Sequence, residues 1–292
     1  MEKVKVAVTQ MACSQSYETN VKKAETIVRE AAAKGANIIL LQELFSGPYF
    51  CKVEDFSYFS LAQNADDSDL IKRFSSLAKD LGVVLPISFF ERANKAYFNS
   101  VAMIDADGTV LGIYRKTHIP QGPGYEEKYY FSPGDTGFKV WHTRFGKVGV
   151  GICWDQWFPE TARSMALMGA DVLLYPTAIG SEPKMPGYDS QPHWQRTMQG
   201  HSAANVIPVC ASNRIGTEND QDVEITFYGT SFITGNTGEI LAQCDRETES
   251  TKIISFDFKE IENMRAGWGL FRDRRPAVYG TIGTLGGDAN LK

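Results

Sequence analysis

The chain has 292 residues, of which 43% are hydrophobic and 22% are charged, and its formal net charge at pH 7 is -5. This composition is ordinary for a soluble globular enzyme, and the length allows either two domains or one large α/β domain. The acidic balance gives no basic surface for nucleic acid, which excludes a polyanionic partner.

The five cysteines are an odd number, lie far apart and form no CxxC pair. No cluster of cysteine and histidine has the spacing of metal ligands. The chain starts with a strand pattern instead of a basic segment followed by an apolar one, and about 18 consecutive apolar residues occur nowhere. We therefore predict a cytoplasmic protein with reduced thiols, no metal or other cofactor, and no membrane segment.

Strands and helices alternate in the first part of the chain. Residues 38–41 are a continuous apolar run, which is typical of a strand buried on both faces. Residues 105–108 (Asp-Ala-Asp-Gly) have the composition of a hairpin turn. From apolar periodicity, strands are predicted at 3–10, 38–41, 83–90, 97–105 and 109–114, and helices at 20–34 and 66–81.

The second part of the chain repeats this alternation. A second hairpin turn lies at 236–238, and its sequence context resembles that of the first, which indicates a weak internal repeat. Two mixed sheets with helices outside would account for the doubly buried strands, so we predict one α/β domain over residues 1–292, a four-layer α-β-β-α sandwich. Further strands are predicted at 138–141, 171–177, 206–212, 229–234, 239–243 and 253–258, and helices at 158–169 and 192–205.

The central stretch, residues 145–160, reads FGKVGVGICWDQWFPE. Its alternation predicts a strand on which Cys153 shares a face with Gly149 and Gly151, leaving open space beside the sulfur. The strand ends in an irregular turn before a helix that starts near Pro159. A thiol at the end of a rigid strand is well placed as a nucleophile, although a small buried hydrophobe is an equally good interpretation of this stretch alone.

Two charged residues also follow predicted strands. Glu43 comes after the apolar run 38–41, and Lys116 comes after the strand 109–114. Strand ends at a common edge of an α/β scaffold gather side chains from distant parts of a chain. Taken singly, each residue is better explained as a solvated strand end or an ordinary loop cation, because charged side chains are mostly exposed.

The sequence motifs around these residues are more specific evidence of function than the residues taken singly. The segments LLQELF, YRKTHIP and GICWDQWFPE, together with the run EEKYYFSPG, closely resemble the nitrilase superfamily of carbon-nitrogen hydrolases. The resemblance extends from Val4 to about Val278, and three separate motifs agree in order. It implies an αββα fold, the architecture also favoured by the strand and helix pattern.

By the motifs of that family, the resemblance implies that Cys153 is the nucleophile, Glu43 the general base and Lys116 the cation at the oxyanion. Glu127 matches the second glutamate that the family places beside the lysine. A carboxylate that takes the thiol proton and an ammonium that stabilises negative charge suit attack on an amide-like carbon. The backbone N–H of Trp154 is a second candidate donor to the oxyanion.

Within the superfamily, residues 118–131 and 191–196 resemble most closely the members that hydrolyse N-carbamoylputrescine to putrescine, carbon dioxide and ammonia. Such a small-molecule substrate has a distal ammonium, and Glu182 is the candidate carboxylate to bind it. The nearby Lys184 could instead attract a substrate carboxylate. An amidohydrolase of N-carbamoyl amino acids or β-ureidopropionate is therefore the alternative, while a nitrilase proper or a catalytically silent scaffold is less compatible with the motifs.

Further residues are predicted to shape the pocket. Tyr49 and Trp154 are candidate apolar walls, and His118 lies beside Lys116 in the sequence. His193 and His201 fall on one predicted helix without a third ligand, so we interpret them as packing or capping residues. Residues 260–292 have few core positions and several arginines. We predict that this tail packs on another subunit of a homo-oligomer with an even number of subunits.

Overall fold

The computed structural model describes residues 3–287. Short 3-10 helices occur at Phe50–Lys52, Phe56–Leu61, Cys153–Trp157, Pro276–Val278 and Gly280–Gly283. The strands are β1 (Val4–Gln10), β2 (Ile38–Leu40), β3 (Leu85–Ala93), β4 (Ala96–Ile104), β5 (Val110–Arg115), β6 (Val140–Thr143), β7 (Gly146–Val150), β8 (Val172–Pro176), β9 (Val209–Ser212), β10 (Ile215–Asp220), β11 (Val223–Tyr228), β12 (Phe232–Thr234), β13 (Ile240–Gln243) and β14 (Ser250–Phe256). The helices are α1 (Tyr17–Ala33), α2 (Asp69–Leu81), α3 (Glu127–Tyr130), α4 (Pro159–Leu167), α5 (Gln191–Asn205) and α6 (Phe258–Trp268).

Two sheets of the same design make up the centre of the molecule. The second sheet has the order β13-β12-β9-β8-β7-β6. In the first, the order β14-β1-β2 continues into β3-β4-β5, because Ile39 N–H donates to the carbonyl of Val84 at 3.0 Å and Ile38 and Val84 form a parallel bridge. Parallel strands occupy the middle of both sheets, and antiparallel strands lie at the edges.

This correspondence extends to the hairpin turns. Gly108 and Gly238 both adopt positive φ angles of 86° and 94°, a conformation that glycine adopts without a steric penalty. A side chain at either position would collide with a helix, since an added Cβ would lie 2.6 Å from the carbonyl of Ser75 in α2 and 2.7 Å from that of Gln199 in α5, respectively. The two hairpins therefore close against equivalent helices, in agreement with the predicted internal repeat.

The apolar side chains divide the molecule into four layers. One core cluster lies between the sheets and includes Val8, Leu40, Val148 and Leu174. A second joins the first sheet to α1 and α2, and a third joins the second sheet to α4 and α5. The continuous apolar run at 38–41 is thus buried on both faces, as its composition indicates. The predicted α-β-β-α sandwich is confirmed.

Two segments differ from the sequence predictions. The hairpin of β10 and β11 was not predicted, although its strands pair in regular register from Ile215 opposite Tyr228 to Asp220 opposite Val223. The tail begins with helix α6, which Asp257 caps by accepting a hydrogen bond from Glu260 N–H at 3.0 Å. Residues 288–292 of the predicted tail lie outside the described residues. None of the helices within 3–287 is long and apolar enough to cross a membrane.

Candidate active site

Cys153 lies at a sharp turn shortly after strand β7, which ends at Val150. Its φ angle of 40° is in the left-handed region, which residues other than glycine rarely adopt without support from their surroundings. The support comes from the buried Asp155, whose Oδ2 accepts hydrogen bonds from Ile152 N–H at 2.9 Å and from the Tyr114 hydroxyl at 2.7 Å. The turn therefore holds the thiol at a fixed position at the end of the strand.

Gly149 and Gly151 do not provide the open space beside the sulfur that was predicted from them. An added Cβ on Gly151 would lie 2.8 Å from the ring of Tyr175, and one on Gly149 would lie 3.0 Å from Met165 of α4. The glycines thus permit close packing of β7 against its neighbours on the helical side. Cys153 leaves this alternation because β7 ends at Val150, and its side chain belongs to the cluster between the two sheets.

Lys116 lies between two buried carboxylates. Its Nζ is 2.8 Å from Oε1 of Glu43 and 2.7 Å from Oε2 of Glu127, and all three side chains are inaccessible to solvent or nearly so. Lys116 directly follows β5, Glu43 follows β2, and Glu127 begins the short helix α3. The structure therefore brings together Glu43 and Lys116, which were singled out by their positions after strands, and Glu127, which was singled out by the family motif alone.

One carboxylate oxygen of Glu43 is available to accept a proton. Its Oε1 accepts from Lys116 and from Asn99 Nδ2 at 2.6 Å, whereas its buried Oε2 has no hydrogen-bond partner among residues 3–287. An unsatisfied buried carboxylate oxygen costs free energy and is typical of a functional position. Glu43 also lies close enough to Cys153 for its charge to raise the pKa of the thiol.

Burial dominates the electrostatics of this cluster. Desolvation raises the pKa of the Cys153 thiol well above its usual value, and Glu43 adds to this effect, while Lys116 acts in the opposite direction. Burial opposes the charge on Lys116, but Glu127 and Glu43 raise its pKa well above the usual range. Desolvation raises the pKa of Glu127 to about 7, against the effect of Lys116. The resting site thus contains a neutral thiol beside a charged lysine.

Tyr49 was predicted to be an apolar wall of the substrate pocket, but it does not line the cavity. Its side chain is fully buried, and its hydroxyl donates to Oε1 of Glu127 at 2.8 Å. The ring packs edge-on against Phe227 of β11, with 5.7 Å between ring centroids. We call Lys116 and its partners Glu43 and Glu127 the lysine cluster. Because the Tyr49 hydroxyl fixes the carboxylate of Glu127, Tyr49 supports this cluster without lining the cavity.

His118 does not line the pocket either. Its Nδ1 lies 2.7 Å from Oδ1 of Asp155, and its ring stacks on Phe158 with 3.6 Å between centroids. It therefore supports the aspartate that holds the turn of Cys153. His201 is buried, with Nε2 2.8 Å from the carbonyl of Gln156, which agrees with a packing residue. His193 packs edge-on against Trp157, with 4.8 Å between ring centroids, and lines the pocket.

A cavity of about 380 Å³ opens above Cys153. Trp154, Trp157 and Tyr125 supply aromatic surface, so the prediction for Trp154 agrees with the structure. The carboxylates of Glu127 and Glu182 also line this cavity, and no Lys or Arg within residues 3–287 does. Burial raises the pKa of Glu182, while Lys184 is exposed and does not line the cavity.

No three side chains of His, Cys, Asp or Glu between residues 3 and 287 are grouped so that they could hold a metal ion. What the site offers is a thiol, a carboxylate with an unpartnered oxygen, and a buried ammonium. This set can perform nucleophilic attack with proton transfer on a carbonyl carbon.

Comparisons with known proteins agree with this chemistry. The chain is 58% identical to an N-carbamoylputrescine amidase of Arabidopsis thaliana, over 98% of this chain and 97% of that protein. It is 56% identical to a citrullinase of Francisella tularensis, over 97% of this chain and 99% of that protein. Among solved structures, a carbon-nitrogen hydrolase from Helicobacter pylori superimposes with a TM-score of 0.91 at 37% identity, covering 97% of this chain and 99% of that one.

The family model described as carbon-nitrogen hydrolase matches residues 5–266, nearly the whole of the described chain. The resemblance inferred from the three motifs is therefore confirmed. The chain belongs to the carbon-nitrogen hydrolase family and is an enzyme that hydrolyses carbon-nitrogen bonds.

Proposed function

We propose that this enzyme hydrolyses N-carbamoylputrescine to putrescine, carbon dioxide and ammonia. The observation that carries the proposal is the charge of the cavity, which is lined by the thiol of Cys153 and the carboxylates of Glu127 and Glu182, and by no Lys or Arg within residues 3–287. A substrate with an uncharged carbamoyl group at one end and an ammonium at the other complements this arrangement. The relatives named N-carbamoylputrescine amidase, including that of Arabidopsis thaliana, support the same substrate.

The first half of the reaction forms a carbamoyl-enzyme. The proton of the Cys153 thiol passes to Oε2 of Glu43 as the sulfur forms a bond to the carbamoyl carbon. Negative charge develops on the carbamoyl oxygen, where Lys116 and the backbone N–H of Trp154 stabilise it; such donors contribute about 3 kcal/mol each in comparable sites. Glu43 then returns the proton to the substrate nitrogen as the C–N bond breaks, and putrescine leaves.

The second half regenerates the thiol. A water molecule attacks the carbamoyl carbon and gives a proton to Glu43, the C–S bond breaks, and the sulfur takes the proton back. The released carbamic acid decomposes to carbon dioxide and ammonia. Glu127 holds Lys116 from the side opposite Glu43, and through that contact it keeps the ammonium directed at the oxyanion.

An alternative substrate is an N-carbamoyl amino acid, such as citrulline or N-carbamoyl-β-alanine. The relative of Francisella tularensis named citrullinase is 56% identical to this chain, which favours a ureido group at the thiol but a different distal end. Such substrates carry a carboxylate, and a basic side chain in the cavity wall would complement it. Among the described residues the wall offers only acidic charge and the imidazole of His193, so we favour the amine.

The test compares ammonia release from N-carbamoylputrescine, citrulline and N-carbamoyl-β-alanine by the wild type and by Glu182→Gln. Loss of the ion pair is expected to raise KM for N-carbamoylputrescine roughly 10²-fold, about 3 kcal/mol, with a smaller change in kcat. Lys184→Gln is the matched control, because it alters a neighbouring charge that does not line the cavity. Preference for an anionic substrate, or equal KM values in wild type and Glu182→Gln, contradicts the substrate assignment.

The catalytic roles have a separate test. Cys153→Ala and Glu43→Gln are each expected to abolish turnover while the circular dichroism spectrum and melting temperature stay close to those of the wild type. Both replacements are similar in size to the residues that they replace, so they leave the packing of the site intact. Turnover close to the wild-type rate in either variant would exclude the proposed nucleophile or base.

We also propose that the enzyme is a cytoplasmic homo-oligomer with an even number of subunits, in which the tail packs on another subunit. Exposed apolar side chains on α6 and beyond it support this, among them Met264, Trp268, Val278 and Ile282. Light scattering of the full chain is expected to give an even multiple of 32.4 kDa, and Trp268→Ser is expected to shift the mass downwards. Phe56→Ser, at an exposed aromatic outside this surface, is the control; a monomeric wild type refutes the proposal.

A further inference from the structure

A second group of buried charges lies behind the lysine cluster. Arg214 Nη1 is 2.8 Å from Oε1 of Glu218, and Lys52 Nζ is 3.4 Å from Oε2 of the same carboxylate. The side chains of Arg214 and Lys52 are inaccessible to solvent, and none of the three lines the cavity above Cys153. Burial of charge costs several kcal/mol per ion unless partners compensate it. The hydrogen-bond partners of these three side chains therefore indicate what the buried charges do.

Arg214 binds the loop that carries Glu43. Its Nη2 donates to the carbonyl of Leu44 at 2.5 Å and to that of Glu43 at 3.2 Å, and its Nη1 donates to the carbonyl of Gly47 at 3.1 Å. Leu44 has a φ angle of 48°, a conformation that needs support from its surroundings in a residue other than glycine. The planar guanidinium thus binds three carbonyls of this loop and the carboxylate of Glu218 at once, whereas an ammonium has only three N–H donors for these four acceptors.

Glu218 binds the other end of the same loop. Its Oε2 accepts a hydrogen bond from Tyr49 N–H at 2.6 Å, and Lys52 Nζ donates to the carbonyl of Tyr49 at 2.7 Å. The backbone of Tyr49 is therefore held on both sides. Since the hydroxyl of Tyr49 donates to Glu127 at 2.8 Å, the position of this backbone determines where Glu127 meets Lys116.

We propose that the pair Arg214–Glu218 is a positioning device for the reaction, which holds Glu43 and the Tyr49 hydroxyl in one rigid unit so that both carboxylates keep their contacts with Lys116. The pair touches neither the cavity nor the reacting atoms, so its two members are positioning residues. The inference rests on the roles proposed above for Glu43 and Glu127, and it adds a contribution from the β10 strand that the family motifs did not indicate.

The test uses Arg214→Lys, which keeps the charge but loses the planar fork, and Glu218→Gln. Both are expected to lower kcat roughly 10²-fold, the usual effect of a displacement of about 1 Å at reacting groups. KM is expected to stay within about twofold of the wild type, because the cavity wall is unchanged. Asp220→Asn is the matched control, since Asp220 lies on the same strand and binds the Tyr58 hydroxyl, outside this network.

A second readout is independent of the substrate. The thiol of Cys153 faces Glu43, Lys116 and Glu127, and the charge of Glu43 raises its pKa. Displacement of Glu43 in Arg214→Lys is expected to shift the pH profile of iodoacetamide alkylation to lower pH, whereas Asp220→Asn leaves it unchanged. A wild type that releases no ammonia from any N-carbamoyl substrate contradicts the proposed function, and the alkylation profiles still test the positioning role.

Three results would overturn the inference. The first is a kcat within about threefold of the wild type together with an unchanged alkylation profile in both variants. The second is a loss of activity expressed entirely in KM. The third is failure of both Arg214→Lys and Glu218→Gln to fold, because the pair would then serve the stability of the fold instead of the geometry of the site. Activity lost in kcat by a folded Arg214→Lys alone supports the inference even where Glu218→Gln is unstable.

Discussion

Replacement of Glu127 by Gln is expected to change how the stability of the protein depends on pH. Burial raises the pKa of Glu127 from 4.5 to about 7, and Lys116 offsets only part of this effect. Because the folded protein binds this proton more tightly than the unfolded chain does, the stabilising effect of protonation is present in full below about pH 4.5 and is lost as the pH rises through about 7. Glu127→Gln removes the titration and keeps the shape of the side chain.

The size of the effect follows from the two pKa values. A tenfold difference in proton affinity corresponds to about 1.4 kcal/mol, so the difference between 4.5 and about 7 corresponds to about 3 kcal/mol. The free energy of unfolding of the wild type, relative to that of Glu127→Gln, is therefore expected to fall by most of this amount between about pH 5 and about pH 8. Urea unfolding followed by tryptophan fluorescence, at one protein concentration, measures it.

The control for this experiment is Glu224→Gln, at an exposed carboxylate on β11. It is expected to follow the wild type at every pH, because it removes a carboxylate without touching the buried cluster. A constant difference between wild type and Glu127→Gln across the whole range would refute the reasoning. It would show that Lys116 compensates the desolvation of Glu127 completely.

Two further predictions concern the thiol and the strand that carries it. Since the charge of Glu43 raises the pKa of Cys153, Glu43→Gln is expected to accelerate iodoacetamide alkylation at about pH 8 while it abolishes hydrolysis; equal or slower alkylation would contradict the proximity of the two groups. Gly151→Ala is expected to lower stability by about 1–3 kcal/mol, because its Cβ would lie 2.8 Å from the Tyr175 ring. Gly47→Ala, where nothing lies within 4 Å, is the control for thermal unfolding.

The sequence was most informative where local pattern and chemistry coincide. Cys153 and Lys116 follow strands whose apolar patterns are clear, and the structure brings both to the same end of the sandwich. The two hairpin turns were recognisable from Gly108 and Gly238, and each closes against a helix as an internal repeat requires. Local pattern could indicate these features because strand ends and turns are determined by neighbouring residues.

Contacts between distant segments could not be predicted in this way. Tyr49 looked like an apolar wall, but its hydroxyl reaches Glu127, which lies 78 residues further along the chain. Arg214 binds the carbonyl of Glu43 across 171 residues, and nothing near either residue in the sequence indicates that contact. The alternation of Gly149, Gly151 and Cys153 was misleading because the strand ends at Val150, before Cys153 begins its turn.

Helix α6 is a different kind of omission, since its local signals were present. Asp257 precedes the helix and caps it, and Gly269 follows it with a φ angle of 79°. These are ordinary start and stop signals. Only Ile261 of its residues is buried within the chain, so the apolar periodicity that identified the other helices was weak here. A helix with so little burial in its own subunit agrees with the proposal that this surface meets another one.

The charges of the active site suggest why a thiol with a raised pKa is suitable in the proposed reaction. Lys116 carries one positive charge between two carboxyl groups, and Glu127, with a pKa of about 7, can hold a proton, so the buried group stays near neutrality. When Cys153 attacks, its proton neutralises Glu43 and the new negative charge appears on the substrate oxygen beside Lys116. The reaction therefore moves one charge within the cluster and adds none, which avoids the cost of a second unpaired buried ion.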